Sequence, residues 1–174
     1  GETPEMVEIS RMISTVAQNR STVLIRGESG TGKELVAREI HRRGLRSRHA
    51  FVAVNCAGVS RNLLESELFA SLYAPHTSLT GGTLGFFRSA EKGTIFLDEV
   101  LEMDVDLQSK LLRVLQEREV RPVGGSEDFH VDVRVVTATN RNVEEAMRRG
   151  ELRGDLYDRL ETWTRCCVDV IEQL

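Results

Sequence analysis

The chain has no apolar run near the about 20 residues that a membrane-spanning helix needs. Gly1 to Arg20 lack the basic start and apolar centre of a signal peptide. There is no excess of positive charge either. Lys and Arg number 23 against 27 Asp and Glu, a formal net charge of −4, so nothing draws the chain generally to nucleic acid. Cysteine is scarce. Cys56, Cys166 and Cys167 form an odd count without CxxC spacing, which argues against a disulfide framework or a zinc site and points to a reducing cytoplasm. Cys166 and Cys167 are adjacent and would face opposite sides of a strand; small buried apolar residues and a redox pair are both open readings. His41, His49 and His130 show no ligand spacing with one another or with cysteine and read as surface or packing residues. Internal repeats and low-complexity tracts are absent.

What is present suits one soluble globular domain over residues 1–174, with 40% hydrophobic and 29% charged residues. Four short runs are apolar nearly throughout: Thr22–Arg26, Phe51–Cys56, Thr94–Leu97 and Val133–Thr137. Strands buried on both faces of a parallel sheet read this way. Helical patterns fall between them, at Gly32–Arg43, Asn62–Phe69, the segment after Asp104, Asn142–Arg149 and Leu152–Leu160. In the third of these, Leu107, Leu111, Val114 and Leu115 repeat at helical spacing behind Asp104 as a cap. The alternation predicts an α/β sheet with right-handed crossovers. Gly124-Gly125 between two β-prone runs predicts a hairpin, and Tyr73–Gly85 reads as an inserted surface loop. Cys166–Ile171 is β-prone and could supply a fifth strand, while Trp163 reads as packing. The run "HRRGLRSRH" is basic, and a solvated helix end explains it more simply than nucleic-acid contact.

The chemistry concentrates in two places. "VLIRGESGTGKELVAREI" is a strand, a glycine loop and a helix, the context in which such a loop binds phosphate. The loop residues are Gly27, Glu28, Ser29, Gly30, Thr31, Gly32, Lys33 and Glu34. Its glycines let several backbone N–H groups face one anion, and the following helix presents its positive end. Lys33 would neutralise the β- and γ-phosphates. Glu34 stands where such loops usually carry Ser or Thr, whose hydroxyl sits on Mg²⁺. "GTIFLDEV" then ends a strand in Asp98-Glu99. At the carboxyl end of a parallel strand, Asp98 is placed to hold Mg²⁺ and Glu99 to polarise an attacking water.

Six blocks in order, "GESGTGKELVAREIH", "VNCAGVSRNLLESELF", "GTIFLDEV", "LQSKLLRVLQEREVRPVGG", "VRVVTATNRN" and "LRGDLYDRL", resemble the central AAA+ ATPase domain of sigma-54-dependent transcriptional activators, the bacterial enhancer-binding proteins. The resemblance runs from Gly1 to about Leu160, and residues 161–174 form a divergent tail. It implies a P-loop AAA+ three-layer α/β/α sandwich with a mostly parallel sheet, ATP and Mg²⁺ as ligands, and ATP hydrolysis. Glu34 is usual for this family. Asn55 matches the switch asparagine that orients the catalytic glutamate, here Glu99. Thr139 and Asn140 match the sensor I region. Arg153 and Arg159 match the arginine fingers that act from a neighbouring subunit, so a ring is implied, typically a hexamer. Six residues apart, they project in different directions from one helix.

Two departures stand out. Where the family carries the GAFTGA loop that contacts sigma-54, residues Ala74 to Leu79 read "APHTSL", agreeing only at Thr77. Pro75 removes an N–H donor, and His76 puts a titratable ring where the family has an apolar aromatic. The sequence given also stops before the helical lid, and the receiver and DNA-binding domains of such activators are not in it. Two functions are therefore open: an ATPase that remodels the sigma-54 RNA polymerase holoenzyme, or a nucleotide-binding regulatory module that does not engage sigma-54.

Overall fold

The computed structural model describes residues 3–72, 84–161 and 168–169. Five strands form one parallel sheet in the order β2-β3-β6-β1-β7. They are β1 (Val23–Arg26), β2 (Phe51–Asn55), β3 (Thr94–Asp98), β6 (Arg134–Thr139) and β7 (Val168–Asp169). The two remaining strands, β4 (Glu119–Val120) and β5 (Phe129–His130), pair antiparallel as the expected hairpin, with Gly124 at φ 78° in its turn. The β-prone tail does supply a fifth strand, β7 lying parallel beside β1.

Helices cover both faces, which makes the three layers. On one face Val23, Ile25, Phe96, Val136 and Ala138 meet α1 (Pro4–Ala17) and α2 (Lys33–Arg43). On the other, Leu24, Val54, Ile95, Leu97 and Val135 meet α3 (Arg61–Phe69), α4 (Gly85–Ser89), α5 (Val105–Glu117), α6 (Val143–Arg148) and α7 (Gly154–Glu161). Successive strand residues thus enter different cores, which is why the strands are apolar without alternating. Asp104 caps α5, its carboxylate accepting from Leu107 N at 2.8 Å.

Two helices were not foreseen. α4 is a single short turn behind Gly85. α1 has a legible start: Thr3 Oγ1 accepts from Met6 N, and Pro4 opens the helix. Its last carbonyls are held by a buried arginine from β6, since Arg134 donates to Val16 O at 2.7 Å and to Ala17 O at 3.3 Å.

Arg43 links α1 to α2. Its Nη1 donates to Ser10 O and Ser14 Oγ at 3.0 and 2.8 Å, while its Nε donates to Glu39. Hydrogen bonds from Arg42 and Arg43 hold the Glu39 carboxyl down to about 2 from an ordinary 4.5. A carboxyl lowered on folding adds stability that is complete above about pH 4.5 and is lost as pH falls towards 2. We predict that Glu39→Gln lowers stability at pH 7 by roughly 1 kcal/mol, the upper end for a solvent-screened pair. Chemical denaturation across pH checks this, because the gap between variant and wild type should close over that acid window. Within the basic run, Arg42 and Arg43 are paired with Glu39, and Arg46 with Asp132 at 2.6 Å.

Candidate functional site

Three neighbouring strands, β3, β6 and β1, end on the same side of the sheet, because all are parallel. The glycine loop leaves β1, Asp98-Glu99 leave β3, and Thr139-Asn140 leave β6. The order of strands therefore gathers candidate residues that lie far apart in sequence.

The loop is built for an anion. Gly30 and Gly32 sit at φ 82° and 85°, the left-handed region that side chains resist. Gly32 also caps α2, and no side chain bonds to the first-turn N–H groups of that helix. Those donors keep their charge directed outward. Lys33 is buried at 6% exposure and donates from Nζ to Gly27 O at 2.9 Å and Glu28 O at 2.8 Å. An ammonium in so dry a place needs oxygen partners. The two carbonyls occupy the role that phosphate oxygens could take. Thr31 Oγ1 tightens the turn by donating to Glu28 O at 2.7 Å. Ser29 is exposed at the tip. Glu34 points along the outside of α2 and pairs with Arg38 at 2.8 Å. A cavity of about 830 Å³ lies between α1 and α2 and one of about 280 Å³ beside the hairpin, and neither is lined by these loop residues. The cradle is a set of backbone donors at the start of α2.

At the end of β3 the backbone is strained. Glu99 adopts φ 54°, ψ 49°, a left-handed conformation for a residue with a side chain. Such strain costs of order 1 kcal/mol and marks sites where geometry is needed for function. Asp98 Oδ1 accepts from Glu99 N at 3.0 Å and so supports the turn. The Glu99 carboxylate accepts from Asn140 N at 3.3 Å, while Thr139 O accepts from Gly27 N at 3.2 Å. The β6 end thus touches both the acidic pair and the phosphate loop. Asn55 stands opposite Asp98 in the sheet register, but its amide oxygen accepts from Ala57 N at 2.9 Å. The hydrogen bond found for the Glu99 side chain is thus to Asn140 and not to Asn55. Cys56 is buried beside these acids. Burial first, then the Asp98 and Glu99 charges, push its thiol up to about 12, so it stays protonated and unreactive.

A protein-family model described as the Sigma-54 interaction domain matches residues 1–164. The chain belongs to this family. It is 49% identical over 160 residues to a Nif-specific regulatory protein of Bradyrhizobium diazoefficiens, a match covering 92% of the chain and 28% of that relative. It is 47% identical over 157 residues to the transcriptional regulatory protein GlrR of Escherichia coli K12, covering 90% of the chain and 35% of the relative. Among solved structures it resembles NtrX from Brucella abortus, crystallised in complex with ADP and with ATP. There the TM-score is 0.88 at 36% identity, covering 98% of this chain and 36% of that one. The chain therefore spans about a third of the length of these relatives. A P-loop NTPase domain of an Escherichia coli sigma-54 activator shares the fold, at TM-score 0.66.

Within this sigma-54 interaction domain the two finger candidates are not at the loop. Arg153 is not on the same helix as Arg159: it precedes α7, its backbone N–H donating to Gln108 Oε1 and its guanidinium forming a two-bonded pair with Asp155 at 3.0 and 2.9 Å. The leucine pattern placed the helix start at Leu152, but α7 begins at Gly154. Arg159 is exposed on α7, with Nη2 donating to Leu115 O at 3.2 Å. The stretch Ala74–Leu79, Trp163 and the cysteine pair Cys166-Cys167 lie outside the described residues. Reading the sequence missed Arg26, which reaches α6 and α7 from the foot of the phosphate loop. It also missed Gln108, fully buried and donating to Met103 O and Glu151 O. A polar residue inside an apolar helical stripe was the available signal for Gln108.

Proposed function

We propose that this domain binds ATP with Mg²⁺, hydrolyses it between neighbouring subunits of a ring, and drives remodelling of the sigma-54 RNA polymerase holoenzyme as part of a longer cytoplasmic activator. The observation that carries this reading is the buried Lys33 ammonium, seated on loop carbonyls at the uncapped start of α2. The family relation and the nucleotide complexes of NtrX support it.

The residues present fit a magnesium ion of the kind bound through one carboxylate, water and substrate phosphate oxygens. Asp98 is half-buried at the strand end, and no cluster of three or more His, Cys, Asp or Glu able to hold a metal by itself occurs among the described residues. Mg²⁺ held at Asp98 would neutralise charge on the transferred phosphoryl group. Lys33 and the N–H groups of the glycine loop bind the phosphates. Glu99 takes the proton of the attacking water, and its orientation is held by Asn140 N–H and by its own strained backbone. Asn55 lies one strand away, and to orient that carboxylate its amide would have to leave Ala57 N–H. DNA contact would come through other domains of the longer protein.

Glu99→Gln tests the assignment. The variant keeps size and shape and loses the base, so ATP affinity should stay within about threefold while turnover falls by about 10³. Isothermal titration and a phosphate-release assay separate the two quantities. Turnover undiminished in the variant would remove Glu99 from the chemistry.

A second reading is favoured by "APHTSL" at Ala74 to Leu79. On it the domain binds nucleotide and assembles but does not engage sigma-54. Retention of sigma-54 on the immobilised full-length protein, loaded with ADP and aluminium fluoride, decides between the two.

A further inference from the structure

Side chains alternate along a strand, so Leu24 and Arg26 leave β1 on the same face. Leu24 enters the core that contains Leu156 and Leu160 of α7. Arg26 emerges one turn of the pleat further on, directly before Gly27. Its guanidinium joins two helices at that point. Nη2 donates to the Tyr157 hydroxyl of α7 at 3.2 Å, and Nη1 donates to Glu144 Oε1 of α6 at 3.1 Å. The arginine side chain is 25% exposed and Glu144 54% exposed, so the bond to Tyr157 is the better shielded of the two.

The connection from there to the phosphate loop is short. Gly27 is covalently next to Arg26, and Gly27 O is one of the two carbonyls that hold Lys33. A phosphate that took the Lys33 ammonium would withdraw that donor from Gly27 and let the foot of the loop resettle. In the other direction, Tyr157 lies on the same helix as Arg159, two residues away. A rigid helix transmits displacement of one side chain to the other.

Building on the nucleotide-binding reading above, we infer that Arg26 is a positioning residue that ties α7 to the phosphate loop of its own protomer. Occupancy of one site then sets how that protomer presents Arg159, and the Arg153 turn before it, to a neighbour. Arg26 acts through Tyr157 and Glu144.

Hydrogen–deuterium exchange of the full chain with and without ATPγS and Mg²⁺ tests this, at protein concentrations too low for assembly. In the wild type, ATPγS should slow the amides of α2, and should slow those of α7 by about tenfold. Arg26→Met and Tyr157→Phe, the second losing only a hydroxyl, should keep the response of α2 and lose that of α7. A bond that merely stabilised α7 would behave differently: the variants would exchange faster in α7 by one factor with and without ATPγS, and the nucleotide-induced ratio would survive. Survival of that ratio in both variants overturns the inference. So does a wild-type α7 that ignores ATPγS while α2 responds. If α2 is also silent in the wild type, the nucleotide site itself is wrong, and the inference falls with it.

Discussion

Lys33→Ala should raise the dissociation constant for ATP by about 10³, out of the range of an ordinary titration. The charge-assisted bonds that an ammonium makes to phosphate are each worth about 1.5–3 kcal/mol, and Lys33 has two oxygen partners within reach already. Loss of two such bonds is enough for that factor. Lys33→Met is the companion variant. It keeps the buried stem, so the start of α2 stays packed while the charge is removed. Both variants should lose ATP and ADP binding together, since the loop donors and the ammonium act on the phosphates rather than on the base. The exposed pair Glu34–Arg38 supplies the control. Glu34→Gln should leave affinity within about threefold, because its side chain faces away from the cradle and its pair is solvent-screened. ATP affinity that survives in Lys33→Met, with the thermal midpoint unchanged, would show that the buried ammonium serves only to pin Gly27 and Glu28.

How much of this site could be read from residues alone follows from where the partners lie. The glycine loop and the acidic pair were legible because their chemistry is local: positive φ at Gly30 and Gly32, and a carboxylate pair at a strand end. The parallel sheet was legible because Ile95, Phe96 and Leu97 are all apolar, which only a strand covered on both faces requires. The end of β6 was harder. β6 runs to Thr139, two residues past the apolar run, because Thr137 and Thr139 are buried with their hydroxyl groups satisfied by Val23 O and Arg141 N. Arg26, Arg134 and Gln108 were not legible at all as structural links. Each is a polar residue whose partners come from 43 or more residues away, apart from one bond from Gln108 to Met103. Local periodicity says nothing about such pairs. The left-handed turn at Glu99 was hidden for a related reason. Sequence rules assign positive φ to glycine or asparagine, and here the strand–turn junction and the Asp98 carboxylate impose it on a glutamate.

Arg153 is committed to Asp155 by two hydrogen bonds, whereas Arg159 is exposed and donates to Leu115 O. A finger must leave its resting partner when it meets the phosphate of another subunit. Leaving one neutral carbonyl costs less than leaving a two-bonded carboxylate, so Arg159 is the better placed of the two. An arginine supplied in trans is worth about 10³–10⁵ in turnover. Arg159→Ala should therefore lose at least about 10³ in the steady-state rate at saturating ATP, with ATP affinity of the isolated subunit within about threefold. Arg153→Ala should lose less, since that guanidinium is already held by Asp155. Mixing supplies the sharper measurement. Lys33→Ala subunits carry an intact Arg159 and a dead loop, and Arg159→Ala subunits the reverse. Neither should turn over alone, but together they should regain activity that rises steeply with total protein concentration. An arginine acting within its own subunit gives no recovery on mixing at any concentration, and a specific activity that stays flat on dilution of the wild type would place the complete site in one chain.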